Sequence, residues 1–362
     1  KGASRMKTYI IAEAGVNHNG SFEMAKELIR VAKEAGADAV KFQTFRAENL
    51  VTKEAKQAEY QVENLGEATS QYQMLKKLEL SFEEFKLLND YCNEIGIEFL
   101  STPFDYDSVD FLVDGLQMKT VKIPSGELTN SPFLHYIATK QKKMIISTGM
   151  ATIDEIHEAL SFVAYGLAKP EANVSIDHVH FFYKTNEAKA ILQKYVTVLH
   201  CTTEYPAPFE TINLKAMNQL SEELGLSIGF SDHSQGITIP IAATSMGATI
   251  IEKHFTLDRA LPGPDHVASL EPAELMAMVE GIRQVELALG TGFKQPTENE
   301  MKNRVAARKS IVASVNIKQG EVLKKSNITI KRPGNGISPS NYWSILGKKA
   351  NRFYQKDEQI DE

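Results

Sequence analysis

Residues 227–255, SIGFSDHSQGITIPIAATSMGATIIEKHF, contain the pattern that decides the fold. A short apolar run, SIGFSDH, and a second one, TIIEKHF, are separated by a longer stretch of helical length. Each run is apolar at first and becomes polar toward its C-terminal end, where His233 and His254 lie. A strand, a helix and a second strand in this order predict a βα unit of a parallel sheet.

The same pattern occurs eight times along the chain. The runs are TYIIAEAG from Thr8, DAVKFQTF from Asp38, IEFLSTP from Ile97, TVKIPSG from Thr120, KMIISTG from Lys143, YVTVLHC from Tyr195, SIGFSDH from Ser227 and TIIEKHF from Thr249. Periodicity alone is also compatible with a doubly wound sheet. Because nearly every run turns polar at its C-terminal end, and a barrel gathers those ends on one face, we predict an α/β fold of the (β/α)8 TIM-barrel type.

The chain should contain a second, smaller domain after the barrel. We predict the barrel over residues 6–290 and a polar linker, TGFKQPTENEMKN, over residues 291–303. Residues 304–362 read as short strands and turns, and so predict a small domain of about 60 residues. Two segments exceed a minimal barrel, namely a loop over residues 46–80 that should cover the active face and an extra helix or lid within residues 166–194.

Composition excludes several classes of protein. The formal net charge of −6 argues against a nucleic-acid or anionic-membrane surface, which needs a concentrated basic patch. No apolar run reaches the roughly 18 residues of a membrane span. Only two cysteines, Cys92 and Cys201, are present, so disulfide bracing is not expected and a reducing cytoplasm fits. No signal peptide is visible, and residues 1–5 are expected to be a remnant of expression.

His233 and His254 end consecutive predicted strands, and strand ends are neighbours on a barrel rim. Imidazole is a good ligand for manganese, iron, cobalt or zinc, and two protein ligands leave positions open for water and substrate. We therefore predict that the two histidines bind one divalent metal. The alternative is that both are hydrogen-bonded histidines without a metal.

Three lysines within apolar strands, Lys41, Lys122 and Lys253, could point into one cavity. Burying a lysine without an anionic partner is costly, so three together predict a phosphate or carboxylate site. The nearby hydroxyl residues Ser101, Thr102, Ser125 and Ser231 would complete it. Alternatively, the lysines pair with barrel carboxylates such as Glu13 or Glu127. Glu252 is adjacent to Lys253 in the strand, so its side chain should point to the opposite face, and it is a less certain metal ligand.

Other polar residues suit a sugar. Glu13 and Glu127 could orient a hydroxyl group or activate water, or could simply neutralise the lysines. Tyr205 lies in a proline-containing loop, where its ring could stack on a sugar. Asp265 lies in a rigid turn after the eighth strand. Both of the latter could also be ordinary turn residues.

Several motifs occur together and in a fixed order. They are IAEAGVNHNG, VKFQTF, STPFD, KIPSGE, ISTGMAT, HCTTEYPAPF, GFSDH, IEKHFTLD with PGPDH, and KRPGNGISP. In this order they resemble the bacterial sialic-acid synthases, a family that includes N-acetylneuraminate, legionaminate and pseudaminate synthases. The resemblance extends from about residue 6 to the C-terminus. It implies a TIM barrel followed by an antifreeze-like (SAF) domain, in a domain-swapped homodimer.

The resemblance also implies roles for individual residues. His233 and His254 match the metal ligands, with manganese the expected ion and magnesium or cobalt as alternatives. The phosphoenolpyruvate site is matched by Lys41, Thr102, Lys122, Ser125 and Ser231, with Thr203 where some relatives carry Asn, and the sugar site by Gln43, Tyr205, Asp265 and Glu13. Glu13, Glu127 and Lys41 are the expected catalytic residues. Arg332 matches an arginine that reaches the partner's active site.

The expected reaction joins phosphoenolpyruvate, N-acetylmannosamine and water to give N-acetylneuraminate and phosphate. The alternative acceptor is 2,4-diacetamido-2,4,6-trideoxymannose, whose product is legionaminic acid. Another phosphoenolpyruvate-dependent condensing barrel, and a sugar-binding protein without catalytic activity, are further alternatives. The strand-end lysines and histidines argue against the last of these.

Overall fold

Eight parallel strands form a nearly closed barrel in the computed structural model of the protein, which describes residues 7–66 and 69–361. The strands are β1 (Tyr9–Gly15), β2 (Ala39–Thr44), β3 (Glu98–Pro103), β4 (Thr120–Ile123), β5 (Lys143–Ser147), β6 (Val196–Cys201), β7 (Ser227–Asp232) and β8 (Ile250–His254). Hydrogen-bonded neighbours follow the order β3-β2-β1-β8-β7-β6-β5-β4, and β3 and β4 lie side by side where the barrel closes. The barrel prediction is confirmed. Its predicted first residue, Met6, lies outside the described residues.

Helices connect the strands. They are α1 (Phe22–Ala35), α2 (Ala47–Leu50), α3 (Glu59–Leu65), α4 (Gln71–Leu78), α5 (Phe82–Ile95), α6 (Tyr106–Asp110), α7 (Ser131–Thr139), α8 (Ile153–Ala168), α9 (Ile176–Tyr183), α10 (Asn186–Tyr195), α11 (Ala216–Leu224), α12 (Thr238–Ser245) and α13 (Pro272–Ala288). The sequence sets many of their ends: Ser81 and Thr152 begin α5 and α8 with capping boxes, and Gly36 and Gly96 end α1 and α5 in the left-handed conformation.

The two additional segments are helical. The long segment after β2 folds into α2, α3 and α4, which enclose a small apolar cluster that includes Phe45, Met74 and Leu78. The segment over residues 166–194 supplies α9 and α10, and both helices contact α8. Among the described residues, none from α9 or α10 lines the large cavity of the barrel. The extra helix was therefore predicted rightly, whereas its alternative role as a lid is wrong.

The chain divides into two compact units between Gly290 and Thr291. The second unit contains α14 (Glu298–Ala307), the antiparallel strands β9 (Ser310–Ala313) and β10 (Ile328–Lys331), and α15 (Tyr342–Ile345). Its core includes Ile311, Ile317 and Tyr354. The predicted linker over residues 291–303 is partly wrong, because α14 begins within it. A capping box of Thr297 and Glu300 starts this helix, whose residues are all exposed.

In the described part of the chain, no helix combines the length and the apolar character that crossing a bilayer requires.

Candidate active site

A cavity of about 580 Å³ opens at the C-terminal ends of the barrel strands. Thirteen of the residues predicted from the sequence line it: Glu13, Lys41, Gln43, Thr102, Lys122, Ser125, Glu127, Thr203, Tyr205, Ser231, His233, His254 and Asp265. They come from different strands and from the loops that follow them, which is how a barrel builds an active site. The fold therefore brings most of the predicted site together.

The end of β1 lies between β2 and β8, so that Glu13 is in register with Lys41 on one side and His254 on the other. Gly15 ends the strand with a φ of +53°, where a side chain would be strained. A Cβ there would lie 3.3 Å from Glu13 Oε1 and 3.4 Å from His254 Cε1. Glycine thus keeps open the space that this carboxylate and this imidazole share.

The two histidines lie at a separation close to that of two imidazoles that share a cation. Their ring centres are 5.7 Å apart, and two imidazole nitrogens about 2.1 Å from one ion at octahedral or tetrahedral angles would place the ring centres roughly 4.5–5.5 Å apart. His233 Nδ1 lies 2.6 Å from the carbonyl oxygen of Thr202, to which it can donate, leaving Nε2 available. His254 Nδ1 is buried without a hydrogen-bond partner.

Burial lowers the pKa of His233 to about 4 and that of His254 well below its usual value. Both rings are therefore neutral at pH 7 and have lone pairs that can bind a metal. In the described ranges, no group of three or more His, Cys, Asp and Glu side chains has ligand geometry, so water or substrate would have to complete the coordination. The two histidines fit a divalent metal with open positions.

Four charged side chains form a buried network on the cavity floor. Lys41 Nζ lies 2.6 Å from Glu13 Oε2 and 3.7 Å from Glu252 Oε2, and Lys122 Nζ lies 3.3 Å from Glu252 Oε1. Ser231 also donates to Glu252 Oε1, over 2.9 Å. The lysines thus face carboxylates, as the alternative interpretation predicted, and they also line the space that an anion would enter.

The two carboxyl groups of this network have very different pKa values. Burial raises the pKa of Glu13 to about 7, although Lys41 opposes this. Burial also acts to raise the pKa of Glu252, but Lys122 and Lys41 outweigh it and hold this pKa far below its usual range. Glu252 is consequently the permanent counter-ion of the lysines. Glu13 is the carboxyl group that can gain or lose a proton near neutral pH.

Hydroxyl groups and one backbone amide surround a neighbouring part of the cavity. Gly149 N donates to Ser125 Oγ over 2.9 Å, and Ser125 Oγ lies 3.2 Å from Cys201 Sγ. A Cβ at position 149 would lie 2.1 Å from Thr203 Oγ1, so only glycine fits there. Thr203 Oγ1 and Ser147 Oγ are buried without hydrogen-bond partners. Unpartnered donors next to two lysines suit an oxyanion.

Further cavity residues include Tyr205 and Asp265, which were predicted to contact a sugar. The Tyr205 ring lies 4.0 Å from that of His233 and 4.8 Å from that of Tyr60 on α3. Asn64 Nδ2 donates to the carbonyl oxygens of Tyr205 and Pro264. Burial raises the pKa of Asp265 to about 6, and also raises that of Glu127, which accepts a hydrogen bond from Asn130.

Two residues predicted from the barrel sequence, Lys253 and Ser101, do not line the cavity. Lys253 is 1% exposed and donates to Asp232 and to the backbone of Ser234, so its assignment as a substrate-binding residue is wrong. Side chains alternate along β8, and His254 and Glu252 take the inward positions, which turns Lys253 away. Arg332 lies in the second unit, is exposed, and donates to the carbonyl oxygen of Ala307. Ser101 contacts Thr44 Oγ1.

Four cavity or cavity-edge residues were missed or undervalued: Glu252, Tyr60, Asn64 and Cys201. The position of Glu252 could have been found, because it lies two residues before His254 and so shares its face. The packing of α3 against Tyr205 joins distant parts of the chain, and no local pattern predicts it.

The comparisons with known proteins agree with this geometry. The NeuB family profile matches residues 28–294, and the SAF domain profile matches residues 308–362. The chain is 48% identical to the N,N'-diacetyllegionaminic acid synthase of Campylobacter jejuni, over 98% of this chain and 99% of that protein. It is 47% identical to the enzyme of the same name from Legionella pneumophila, over 96% and 91%.

A solved structure extends the likeness to the fold. The N-acetylneuraminic acid (sialic acid) synthetase of Leptospira borgpetersenii serovar Hardjo-bovis, in complex with citrate, is 31% identical. The alignment covers 82% of this chain and 90% of that one, with a TM-score of 0.65. Together with the barrel and its strand-end site, these matches confirm the resemblance drawn from the motifs: the chain belongs to the NeuB family and carries a C-terminal SAF domain.

Proposed function

We propose that this protein is an N,N'-diacetyllegionaminic acid synthase, which joins phosphoenolpyruvate to 2,4-diacetamido-2,4,6-trideoxymannose. The observation that carries the proposal is the near-full-length identity of 48% to the Campylobacter jejuni enzyme of that name. N-acetylmannosamine, the first acceptor that the motifs suggested, has weaker support. The relatives named for sialic acid are less similar, as the human N-acetylneuraminate-9-phosphate synthase illustrates at 34% identity.

Phosphoenolpyruvate would bind on the cationic floor. Lys41 and Lys122 supply charge to its phosphate and carboxylate, and Thr102, Ser125, Thr203 and Ser231 supply hydroxyl donors. Lys122 has a pKa lowered by burial even with Glu252 beside it, so an anionic ligand would favour its charged form. The buried network therefore gains a counter-ion when the donor substrate binds.

His233 and His254 would hold the divalent metal, with manganese the first candidate and magnesium or cobalt the alternatives. Such an ion supplies Lewis-acid polarisation of the sugar aldehyde. The protein's own part is to keep both imidazoles neutral by burial and to fix the His233 ring through Thr202.

In the reaction, C3 of phosphoenolpyruvate forms a bond to the aldehyde carbon as the C=O π bond opens and its oxygen takes up a proton, and positive charge develops at C2. Water then adds at C2 and gives up a proton. The resulting hydroxyl group loses its proton and becomes the C2 ketone as the C2–O bond to phosphate breaks, which releases inorganic phosphate and makes the condensation effectively irreversible. Glu127, which lines the cavity, would accept the proton of that water. Glu13, with a pKa of about 7, can hold or release a proton beside Lys41.

We also propose a domain-swapped homodimer acting in the cytoplasm. Arg332 would reach the acceptor's acyl group in the partner subunit's active site, where a guanidinium can donate two hydrogen bonds. The free thiols of Cys92 and Cys201 suit a reducing compartment. Replacing Arg332 by alanine should raise KM for the sugar and leave KM for phosphoenolpyruvate unchanged. Equal effects on both substrates would contradict this role.

Phosphate release from phosphoenolpyruvate tests the proposal directly. The two acceptor sugars are supplied in turn, each with manganese and after chelation. We expect turnover with 2,4-diacetamido-2,4,6-trideoxymannose that requires the metal, and a lower kcat/KM with N-acetylmannosamine. A higher kcat/KM with N-acetylmannosamine would overturn the choice of acceptor, and full activity after chelation would overturn the metal.

A further inference from the structure

The cavity has a second, chemically different side. Segment 50–78, which includes α3 and α4, contributes six apolar lining residues that we call the apolar wall: Leu50, Val51, Ala58, Met74, Leu75 and Leu78. Among its described lining residues this segment presents no charged side chain. Every other part of the cavity described above is dominated by charged, hydroxyl or imidazole groups.

The apolar wall is anchored in a buried hydrophobic cluster. Met74 and Leu78 are 5% and 7% exposed and belong to a cluster with Val16 and Phe45, whereas Leu50 and Leu75 are only partly buried. Tyr60 and two glutamines also line this side, and one atom of each glutamine amide is already engaged: Gln61 Oε1 accepts from Ala58 N, and Gln71 Nε2 donates to Lys56 O. The surface offered to a ligand here is therefore mainly aliphatic.

The position of the reaction determines which part of the acceptor meets this surface. The aldehyde carbon must lie on the floor, beside the anion site and the histidines. Carbon–carbon bonds of about 1.5 Å place C6 of an extended sugar roughly 6 Å from C1. From His233, tilted ring pairs lead through Tyr205 to Tyr60 on α3, the helix that follows Ala58 of the wall and precedes α4, so the segment that carries the wall reaches the histidine side of the cavity. The far end of the acceptor therefore points toward the segment that carries the wall.

We propose that the apolar wall determines acceptor specificity by contacting the C6 methyl group and the methyl of the C4 acetamido group. This inference rests on the proposed function and adds the residues that choose the substrate class. N-acetylmannosamine carries hydroxyl groups at both carbons, and burial of a hydroxyl against aliphatic side chains without a hydrogen-bond partner is unfavourable. Apolar pockets discriminate at this level by roughly 10- to 100-fold.

The test uses the full-length protein and partly exposed wall residues. Leu75→Gln and Leu50→Gln place a polar group on the wall, Leu75→Met preserves its apolar character, and Leu75→Ala is available if the glutamine variants fail to fold. Leu87→Gln is the matched control, because Leu87 is 46% exposed on α5 and does not line the cavity. The first readout is the ratio of kcat/KM for 2,4-diacetamido-2,4,6-trideoxymannose to that for N-acetylmannosamine. The second is calorimetric binding of the two reduced, unreactive sugar alcohols in the presence of phosphoenolpyruvate.

We expect Leu75→Gln to lower both selectivity ratios about tenfold, while Leu75→Met and Leu87→Gln keep them. Equal losses for both sugars, or unchanged ratios, would overturn the wall as the specificity determinant. If the wild-type protein released no phosphate with either sugar, the proposed function would fail. The binding ratio would then still decide whether the wall recognises the methyl-bearing sugar.

Discussion

The two ends of the barrel strands differ in how their buried polar groups are satisfied. At the N-terminal end, Asp38 accepts from Ile10 N and from Arg283, and Arg283 also donates to the carbonyl oxygen of Thr8. At the C-terminal end, His254 Nδ1, Thr203 Oγ1 and Ser147 Oγ are buried without partners. At the N-terminal end of the barrel strands these polar groups are hydrogen-bonded, whereas at the C-terminal end several buried polar atoms lack a partner among the described residues.

This difference separates stability from function. A buried polar group without a partner costs roughly 1–3 kcal/mol, so the C-terminal end is a place where the fold forgoes stability. A ligand that supplies the missing partners regains it. Residues at the N-terminal end should accordingly control unfolding, and those at the C-terminal end should control turnover.

The largest effect expected at the C-terminal end is that of His233→Ala. If His233 is one of two metal ligands, as proposed, its loss removes Lewis-acid stabilisation worth several kcal/mol, and kcat/KM should fall by a factor on the order of 10³. Steady-state phosphate release measures this, and His157→Ala, at a partly buried histidine on α8, should leave the rate unchanged. A fully active His233→Ala enzyme would reject the metal role.

Thr203→Val isolates an unused hydrogen bond. Within residues 7–66 and 69–361 the hydroxyl of Thr203 has no hydrogen-bond partner, so its removal should not lower the free energy of unfolding. A hydrogen bond to a charged ligand contributes about 1.5–3 kcal/mol, and KM for phosphoenolpyruvate should rise roughly 10- to 100-fold. An unchanged KM together with a lower free energy of unfolding would contradict the assignment of function, rather than stability, to the C-terminal end.

Arg283→Met probes the N-terminal end. Its guanidinium is 28% exposed and bridges Asp38, Glu286 and Thr8. Allowing for that exposure, its loss should reduce the free energy of unfolding by about 2–3 kcal/mol. Denaturant titration gives this value, and kinetics with both substrates should stay at wild-type levels. A change in kcat without a change in the free energy of unfolding would contradict the assignment of stability to the N-terminal end and turnover to the C-terminal end.

His18 offers a smaller, pH-dependent effect. Burial lowers its pKa from 6.5 to about 4, so the unfolded chain takes up its proton first as the pH falls. The stability due to neutral His18 is complete above about pH 6.5 and is lost toward pH 4. Between pH 7 and 5 this amounts to about 2 kcal/mol.

His18→Gln should remove that part of the pH dependence of unfolding. Identical curves for the two proteins between pH 7 and 5 would show that His18 does not carry it. The comparison is made at constant ionic strength, because surface ion pairs weaken as salt rises.

The sequence predicts the barrel well because its signals are local. Each strand is a short apolar run with a polar C-terminal end, and eight such runs in succession leave few alternatives. The assignment of Lys253 failed because His254 and Lys253 are adjacent and cannot share a face of β8. A strict alternation would have selected Glu252.

Other features depend on contacts that no local pattern contains. The contact between the rings of Tyr60 and Tyr205 joins α3 to the loop after β6, and the apolar wall forms because α2, α4 and the residues beside them fold over the cavity. The helix α14 has no hydrophobic face, so periodicity missed it, although Thr297 and Glu300 form a capping box that could have revealed it.

The pair of Lys253 and Asp232 has a consequence for how finely the site can be adjusted. These side chains lie on the outward faces of β8 and β7, are 1% and 0% exposed, and join two strands whose following inward positions carry the histidines. A slip of one residue between the strands would separate two buried charges, which makes that slip very unfavourable. The ion pair of Lys253 and Asp232 thus fixes the distance between the imidazoles from the side of the strands that faces away from the cavity. Substitutions of Lys253 or Asp232 should change the separation of the two imidazoles while every side chain that faces the cavity stays the same.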